Sequence, residues 1–217
     1  MLNKVEKEII EKNREFEEKH KLKSFNEIIN KAKETFEKGQ KPKTILITCS
    51  DSRVLEEIAL EELPGEVFTI RTAGQVLGEE VFETIYYGLI HLNVKEIIVL
   101  GHNKCGAVNA TKEIIEKQQE EELFLFKNIV RQLERAIFKA KEIKEEFENK
   151  YEIINIFNIM DYLAKDPIIR KVKPKISGFI YHLEDLKVEY IAYYNWEKEK
   201  IIIEDEKLRE KIKEFSF

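Results

Sequence analysis

The stretch Thr44-Ile45-Leu46-Ile47-Thr48-Cys49-Ser50-Asp51-Ser52-Arg53 decides how this chain is read. Its first five residues form a short apolar, β-branched run, the pattern of a strand buried on both faces. The run ends in side chains that carry chemistry. A second cluster of the same kind, His102-Asn103-Lys104-Cys105, follows the apolar run Glu96-Ile97-Ile98-Val99-Leu100. Both cysteines of the chain therefore stand at strand ends, Cys49 two residues before a carboxylate and Cys105 three residues after a histidine. Two thiolates and an imidazole are a ligand set that zinc favours, and three protein ligands leave a fourth position open.

Between the clusters the pattern alternates. Val54–Leu63 reads as a short helix and Val67-Phe68-Thr69-Ile70 as a second strand. Gly78–Leu92 reads as a helix with Val81, Phe82, Ile85, Tyr86 and Leu89 inward, and Lys95–Leu100 as a third strand. Strands alternating with helices imply a parallel sheet covered on both faces. In such sheets ligands bind outside the carboxyl ends of the strands, where the strand order reverses. If the first strand lies between the second and third, Cys49 and the His102/Cys105 pair converge in that crevice.

At 217 residues with 43% apolar side chains, the chain suits one α/β domain with a full core. Its 37 Lys+Arg and 42 Asp+Glu nearly balance, which gives no electrostatic reason to expect nucleic acid or an anionic membrane as partner. No apolar run approaches the ~20 residues of a bilayer span. The first residues are charged throughout, without the apolar stretch of a secretory signal, so a cytoplasmic protein is expected. Two cysteines are too few for a disulfide framework.

Residues 1–40 read as a helical arm. Leu2, Val5 and Ile9 begin one amphipathic helix. Ser24 and Glu27 form a capping box for a second, whose stripe is Phe25, Ile28, Ile29, Ala32 and Phe36. Residues 112–150 are densely charged and read as a long amphipathic helix with a narrow seam of Phe126, Ile129, Val130, Leu133 and Ile137. Asn155–Ala164 continues as helix, and Asp166-Pro167 is a cap followed by a proline at the first helical position. Phe179–Tyr181 and Val188–Tyr193 alternate as strands joined near Glu184-Asp185. A tail helix, Asp205–Phe215, closes a C-terminal extension that spans 184–217.

The chemistry follows from the spacing. Cys49 and Asp51, two apart at an extended strand end, project to the same side. His102 and Cys105 meet one metal if the chain turns helically after its strand, and Gly101 and Gly106 let the backbone bend there. Arg53 can clamp the Asp51 carboxylate through two parallel hydrogen bonds. Oriented in this way, Asp51 accepts a hydrogen bond from a zinc-bound hydroxide and points its lone pair at an electrophile. Alternatively Asp51 itself ligates the zinc and shuts the site, and the sequence leaves both arrangements open. His20, His91 and His182 lack any such setting.

With Cys49-Ser50-Asp51-Ser52-Arg53-Val54 and Gly101-His102-Asn103-Lys104-Cys105-Gly106-Ala107-Val108 in view, the chain resembles the β-class carbonic anhydrases. Phe68–Gly74 is similar to that family's Arg-Asn-Ala-Gly segment, with Thr72 in place of the Asn, and Ser177–Tyr181 is similar to its late Gly-x-x-Tyr strand. The resemblance is strong over 44–110 and weak over 150–183. It implies zinc on Cys49, His102 and Cys105, with Asp51 and Arg53 as a catalytic dyad. It also implies a doubly wound α/β sheet of four parallel strands plus an antiparallel edge strand, decorated by N-terminal and inserted amphipathic helices. The implied reaction is that of a lyase, the reversible hydration of CO2 to bicarbonate and a proton, with backbone amides near Gly106 steadying the product oxygens. The implied assembly is a homodimer or a higher even homo-oligomer. Some family members hold bicarbonate in a regulatory pocket built on a Trp three residues before the first cysteine; Leu46 stands there and argues against that pocket.

Two other functions fit the same residues. Hydrolases of carbonyl sulfide and carbon disulfide resemble this family and share the ligands and the Asp-Arg pair. A non-catalytic, zinc-stabilised binding module would use the charged helices 1–38 and 112–150 as its surface, but it has no use for an oriented carboxylate.

Overall fold

The apolar runs do become strands. Among the described residues, β1 (Thr44–Cys49), β2 (Val67–Thr72), β3 (Glu96–His102), β4 (Lys175–Tyr181), β5 (Val188–Asn195) and β6 (Lys200–Ile203) form one sheet in the order β2-β1-β3-β4-β5-β6. β2, β1, β3 and β4 pair in parallel, whereas β5 and β6 are antiparallel. The expected four parallel strands are all present, and the antiparallel edge holds two strands rather than one. The computed structural model describes residues 6–8, 10–11 and 25–212. Leu2, Val5, Ile9, His20, the capping serine Ser24 and the end of the expected tail helix lie outside them.

Strand order reverses at β1, which sits between β2 and β3, so the carboxyl ends of β1 and β3 open on one crevice. Every residue of β1 and β3 is buried, which accounts for their unbroken apolar runs. Ile45 and Ile47 point to one face, where α3 (Glu79–Ile90), α7 (Lys150–Lys165) and α8 (Pro167–Val172) bury Ile85, Leu89, Phe157, Met160 and Ile169. Leu46, Ile98 and Leu100 point to the other. There they meet α2 (Glu56–Ala59) and Ile10 of the N-terminal helical stretch. Glu6 of that stretch is buried and accepts hydrogen bonds from Lys175 and Ser177 at the start of β4.

Two glycines set how close α7 comes to the sheet. A Cβ on Gly101 would stand 2.6 Å from Ile156 Cδ1, and one on Gly178 would stand 2.8 Å from Ile156 Cγ2 and from the Met160 sulfur. Gly101 therefore serves helix packing within β3, not the backbone bend expected of it. Asp166 caps α8 as its sequence predicts, accepting from the amides of Ile168 and Ile169.

Two helices differ from expectation. The span 54–63 is helical only over α2, because Glu61 takes a left-handed conformation at φ 50°. The charged block is not one long helix. It holds the end of α4 (Gly106–Lys117), then α5 (Glu120–Leu125) and α6 (Lys127–Glu142), with a left-handed Gln118 and a kink at Phe126 between them. α6 buries Val130, Leu133, Ala136 and Ile137, as its seam predicts. Phe124, Leu125 and Phe126 at the corner stay exposed. The stripe of α1 (Phe25–Lys38) is also largely open in the single chain, with Phe36 91% exposed.

Candidate metal centre

The last residue of β1, the last residue of β3 and the residue just before α4 meet at the crevice. The metal-ligating atoms of Cys49, His102 and Cys105 all lie within 4.8 Å of one another, and all three residues are buried. The two sulfurs are 4.0 Å apart. The His102 ring shares a hydrogen bond with the Asn103 carbonyl through Nδ1, at 2.9 Å, so Nδ1 carries the proton. Nε2 is left as a bare lone pair, buried and without any hydrogen-bond partner. A buried polar atom without a partner is rare and costly. An imidazole lone pair and two sulfurs converging on one point are the donor set of a thiolate-binding metal, and these residues fit one.

The surroundings favour negative sulfur. Cys49 is held well below the ordinary thiol range, chiefly because its sulfur pairs with that of Cys105, with the adjacent His102 and the Gly74 amide acting in the same direction. Cys105 moves the other way, pushed up first by that same pairing and then by burial. A divalent ion held between the two sulfurs would favour both as thiolates. Burial works against a charged His102, yet the neighbouring Cys49 sulfur outweighs it and raises its pKa.

The Gly74 amide reaches the Cys49 sulfur at 3.4 Å because Ala73–Gln75 forms a tight turn in which Gly74 has φ 65°. Thr72, standing at the usual Asn position, closes this turn by donating to the Val76 carbonyl at 2.9 Å. Asn155 of α7 donates to the Gly74 carbonyl (2.9 Å), and Gln75 Nε2 donates to the Leu100 carbonyl (2.6 Å). Gln132 of α6 binds both the amide and the carbonyl of Leu77, like a paired strand. Leu133 and Ile137 of the same helix pack beside the two cysteines and Val108, so the cluster lies under an apolar roof.

Asp51 stands at the rim. Arg53 donates to it three times: Nε to Oδ1 at 2.9 Å, a terminal nitrogen to Oδ2 at 2.7 Å and the backbone amide to Oδ1 at 3.0 Å. The guanidinium and the amide hold its carboxyl well below the usual carboxylate range. Its Oδ2 is nevertheless only 3.9 Å from His102 Nε2. The chain therefore brings Cys49, His102, Cys105, Asp51 and Arg53 together, with Asp51 turned to Arg53. Gly106 opens α4 beside them, and a Cβ there would meet nothing within 4 Å. His91 is stacked on Tyr87, and His182 pairs with Glu189, so neither joins the site.

Sequence reading gave no role to Arg71, Glu56, Asn155 or Gln132. The signal for Arg71 was its place in the Phe68–Gly74 stretch that resembles the family's Arg-Asn-Ala-Gly segment; the other three look like ordinary polar helix residues.

Comparison with known proteins agrees with this geometry. A family model described as carbonic anhydrase matches residues 44–188, from the first residue of β1 to the first of β5. The chain belongs to the β-class carbonic anhydrase family. A carbonic anhydrase of Mycolicibacterium smegmatis is 31% identical over 156 residues, which cover 70% of this chain and 75% of that protein. Carbonic anhydrase 2 of Mycobacterium tuberculosis is 49% identical over 72 residues, though that stretch spans only 35% of its length. Among solved structures, the β-carbonic anhydrase CcaA matches with a TM-score of 0.65 at 23% identity, covering 92% of each chain. The Coccomyxa β-carbonic anhydrase in complex with acetazolamide matches with a TM-score of 0.62 at 20% identity, covering 93% of this chain and 90% of that one. At such identities these two speak for the fold of the family and its mixed sheet.

Proposed function

We propose that this protein is a zinc-dependent carbonic anhydrase that catalyses the reversible hydration of CO2 to bicarbonate and a proton. The observation that carries the reading is the buried, unpartnered Nε2 of His102, which faces two cysteine sulfurs within ligand distance of a shared ion. Cys49, His102 and Cys105 would hold the metal. Two sulfurs and one nitrogen favour zinc over the oxygen-seeking cations. When bound, zinc supplies the Lewis acidity that makes hydroxide available near neutral pH.

The remaining work falls to the protein. Asp51, kept ionised by Arg53, is an acceptor aimed at the proton of the attacking oxygen, and so turns that oxygen's lone pair toward CO2. Backbone amides near Gly106, at the start of α4 just after Cys105, would steady the product oxygens. Leu133, Ile137 and Val108 supply an apolar wall suited to an uncharged, linear substrate.

The stripe of α1 and the corner of α5 and α6 expose large apolar side chains that a second copy would cover, which supports a homodimer or a larger even assembly. A relative from Sordaria macrospora is described as tetrameric. Among the described residues no helix is long and apolar enough to cross a membrane, and a cytoplasmic location is part of the same proposal.

The test is stopped-flow CO2 hydration, with zinc content measured on the same sample and carbonyl sulfide and carbon disulfide assayed beside it. Rapid CO2 hydration at one zinc per chain, lost when the metal is removed, is the expected result. Full zinc occupancy with turnover only of a sulfur substrate, or with no turnover, overturns the assignment in favour of a sulfur-compound hydrolase or a structural zinc module respectively.

A further inference from the structure

The short loop that runs from His102 to Cys105 is tied down at every residue, and most tightly at Asn103, which is 1% exposed. The Asn103 amide donates to the Tyr181 carbonyl at 3.0 Å, and its side-chain Oδ1 accepts from the Leu183 amide at 3.0 Å. Nδ2 donates to Glu184 Oε2 at 2.6 Å, while the Asn103 carbonyl pairs with His102 Nδ1 at 2.9 Å. The neighbouring bonds are longer. The Lys104 carbonyl accepts from Arg53 at 3.3 Å, and the Cys105 amide donates to Glu152 at 3.3 Å. Three groups of the 181–184 connection therefore hold the one residue that directly follows the ligand His102 and precedes the ligand Cys105 by two.

The connection that holds Asn103 is itself stiff. In the turn from β4 to β5 the His182 amide donates to the Lys187 carbonyl at 2.8 Å, and the Leu186 amide donates to the His182 carbonyl at 2.9 Å. On the ligand side, Lys104 at φ 52° turns the chain sharply from Asn103 into Cys105, so a rotation at Asn103 moves both the His102 ring and the Cys105 sulfur. The partners also explain the residue type. Position 103 must accept from an amide and donate to a carboxylate, and a side-chain amide offers the two on separate atoms, whereas a hydroxyl has only one. An aspartate there would set a second negative charge against Glu184. Asn103 is the main influence that draws the Glu184 carboxyl below its ordinary range, so its partner is a carboxylate and not an acid at neutral pH.

We propose that Asn103, anchored by Glu184, is a positioning residue that sets the His102 ring and the Cys105 sulfur for the metal by fixing their loop to the β4–β5 turn. The inference rests on the metal-centre part of the function proposed above and not on the identity of the substrate. Neither residue touches the reacting atoms. Asn103 acts through its own carbonyl and backbone, and Glu184, an exposed residue at the turn, acts through Asn103.

The test uses the full-length protein, loaded with zinc for transfer to a chromophoric chelator and with cobalt(II) for its visible absorption, which reports ligand geometry. Asn103→Asp should give up zinc to the chelator about tenfold more readily or worse, and should shift the cobalt bands. Adding Glu184→Gln to it should recover most of the loss and return the bands. The bond is then made in the opposite direction: the new amide at 184 donates to the new carboxylate at 103, which still accepts from the Leu183 amide. A damaged fold predicts no such repair. Should Asn103→Asp fail to fold, Glu184→Ala at the exposed end of the pair should shift zinc retention and the bands in the same direction. Wild-type zinc retention and bands in Asn103→Asp, or a lowered melting temperature with the bands unmoved, overturn the positioning role. A loss that Glu184→Gln does not repair, or an unaltered Glu184→Ala, overturns the anchor. A wild-type protein that takes up neither metal removes the metal reading and this inference together. Metal uptake with the expected pattern but without CO2 hydration leaves the positioning residue standing and refutes only the assigned reaction.

Discussion

Glu96 opens β3 at the end of the sheet remote from the crevice, and its carboxylate is buried there with Oε2 lacking any hydrogen-bond partner. Burial is the main force on it. Lys175 draws its pKa down and Glu6 pushes it up, with the net result that it rises from an ordinary 4.5 to about 7. Lys175 gives limited relief because it also binds Glu6. That displacement corresponds to about 3 kcal/mol of stability. Below about pH 4.5 the group is protonated in both folded and unfolded chains, and the contribution is complete. Between 4.5 and 7 the folded protein keeps a proton that the unfolded chain releases, so stability falls by ~1.4 kcal/mol per pH unit. Above pH 7 the full penalty stands. Glu96→Gln keeps the shape and removes the charge. Urea unfolding at fixed protein concentration should therefore show little difference between variant and wild type near pH 4.5, and an advantage of about 3 kcal/mol for Gln by pH 8. Metal content and turnover should not change. An advantage independent of pH, or a Gln variant less stable than wild type at pH 8, would refute a buried ionised carboxylate as the source.

Other outcomes follow from the site and its supports. Cys105→Ser should lose zinc by elemental analysis, whereas Arg53→Ala should keep it and lose most turnover; normal hydration by Arg53→Ala would contradict the dyad. Asn155→Ala strips the Gly74 carbonyl of a buried donor, which should cost about 1–3 kcal/mol in denaturant unfolding. By loosening the amide on Cys49, the same change should weaken zinc retention against a chelator about tenfold or more. Gly178→Ala places a methyl 2.8 Å from Ile156 and Met160, and thermal melting should show it less stable by ~1–3 kcal/mol. An unchanged melting temperature would mean that α7 yields freely.

Much of this protein was decided locally. The runs 44–48 and 96–100 are apolar because parallel strands covered on both faces have no solvent side, so their sequence alone marked them as strands. The ligands could be read because a thiolate–imidazole metal site needs residue types that occur rarely, and this chain places its only two cysteines there. The cap at Asp166 was legible for the same reason: a side chain two or three residues from its partner amides needs no tertiary help. The breaks at Gln118 and Phe126 were not legible, since no glycine or proline marks them and the charge pattern runs through both. Strand β6 was missed because four residues with a half-buried pattern carry too little periodicity.

Tertiary structure alone decided which way Asp51 turns. Sequence permitted either a pair with Arg53 or a bond to the metal, since both use the same atoms. In the folded chain Asp51 pairs with Arg53 while Arg71 from β2 and Glu56 from α2 meet the 49–54 turn, and Asn155 and Gln132 from two later helices hold the segment around Gly74. These contacts join residues up to 81 positions apart. No local preference encodes such a contact, because a hydrogen bond between distant residues exists only after the sheet and its covering helices have brought donor and acceptor together.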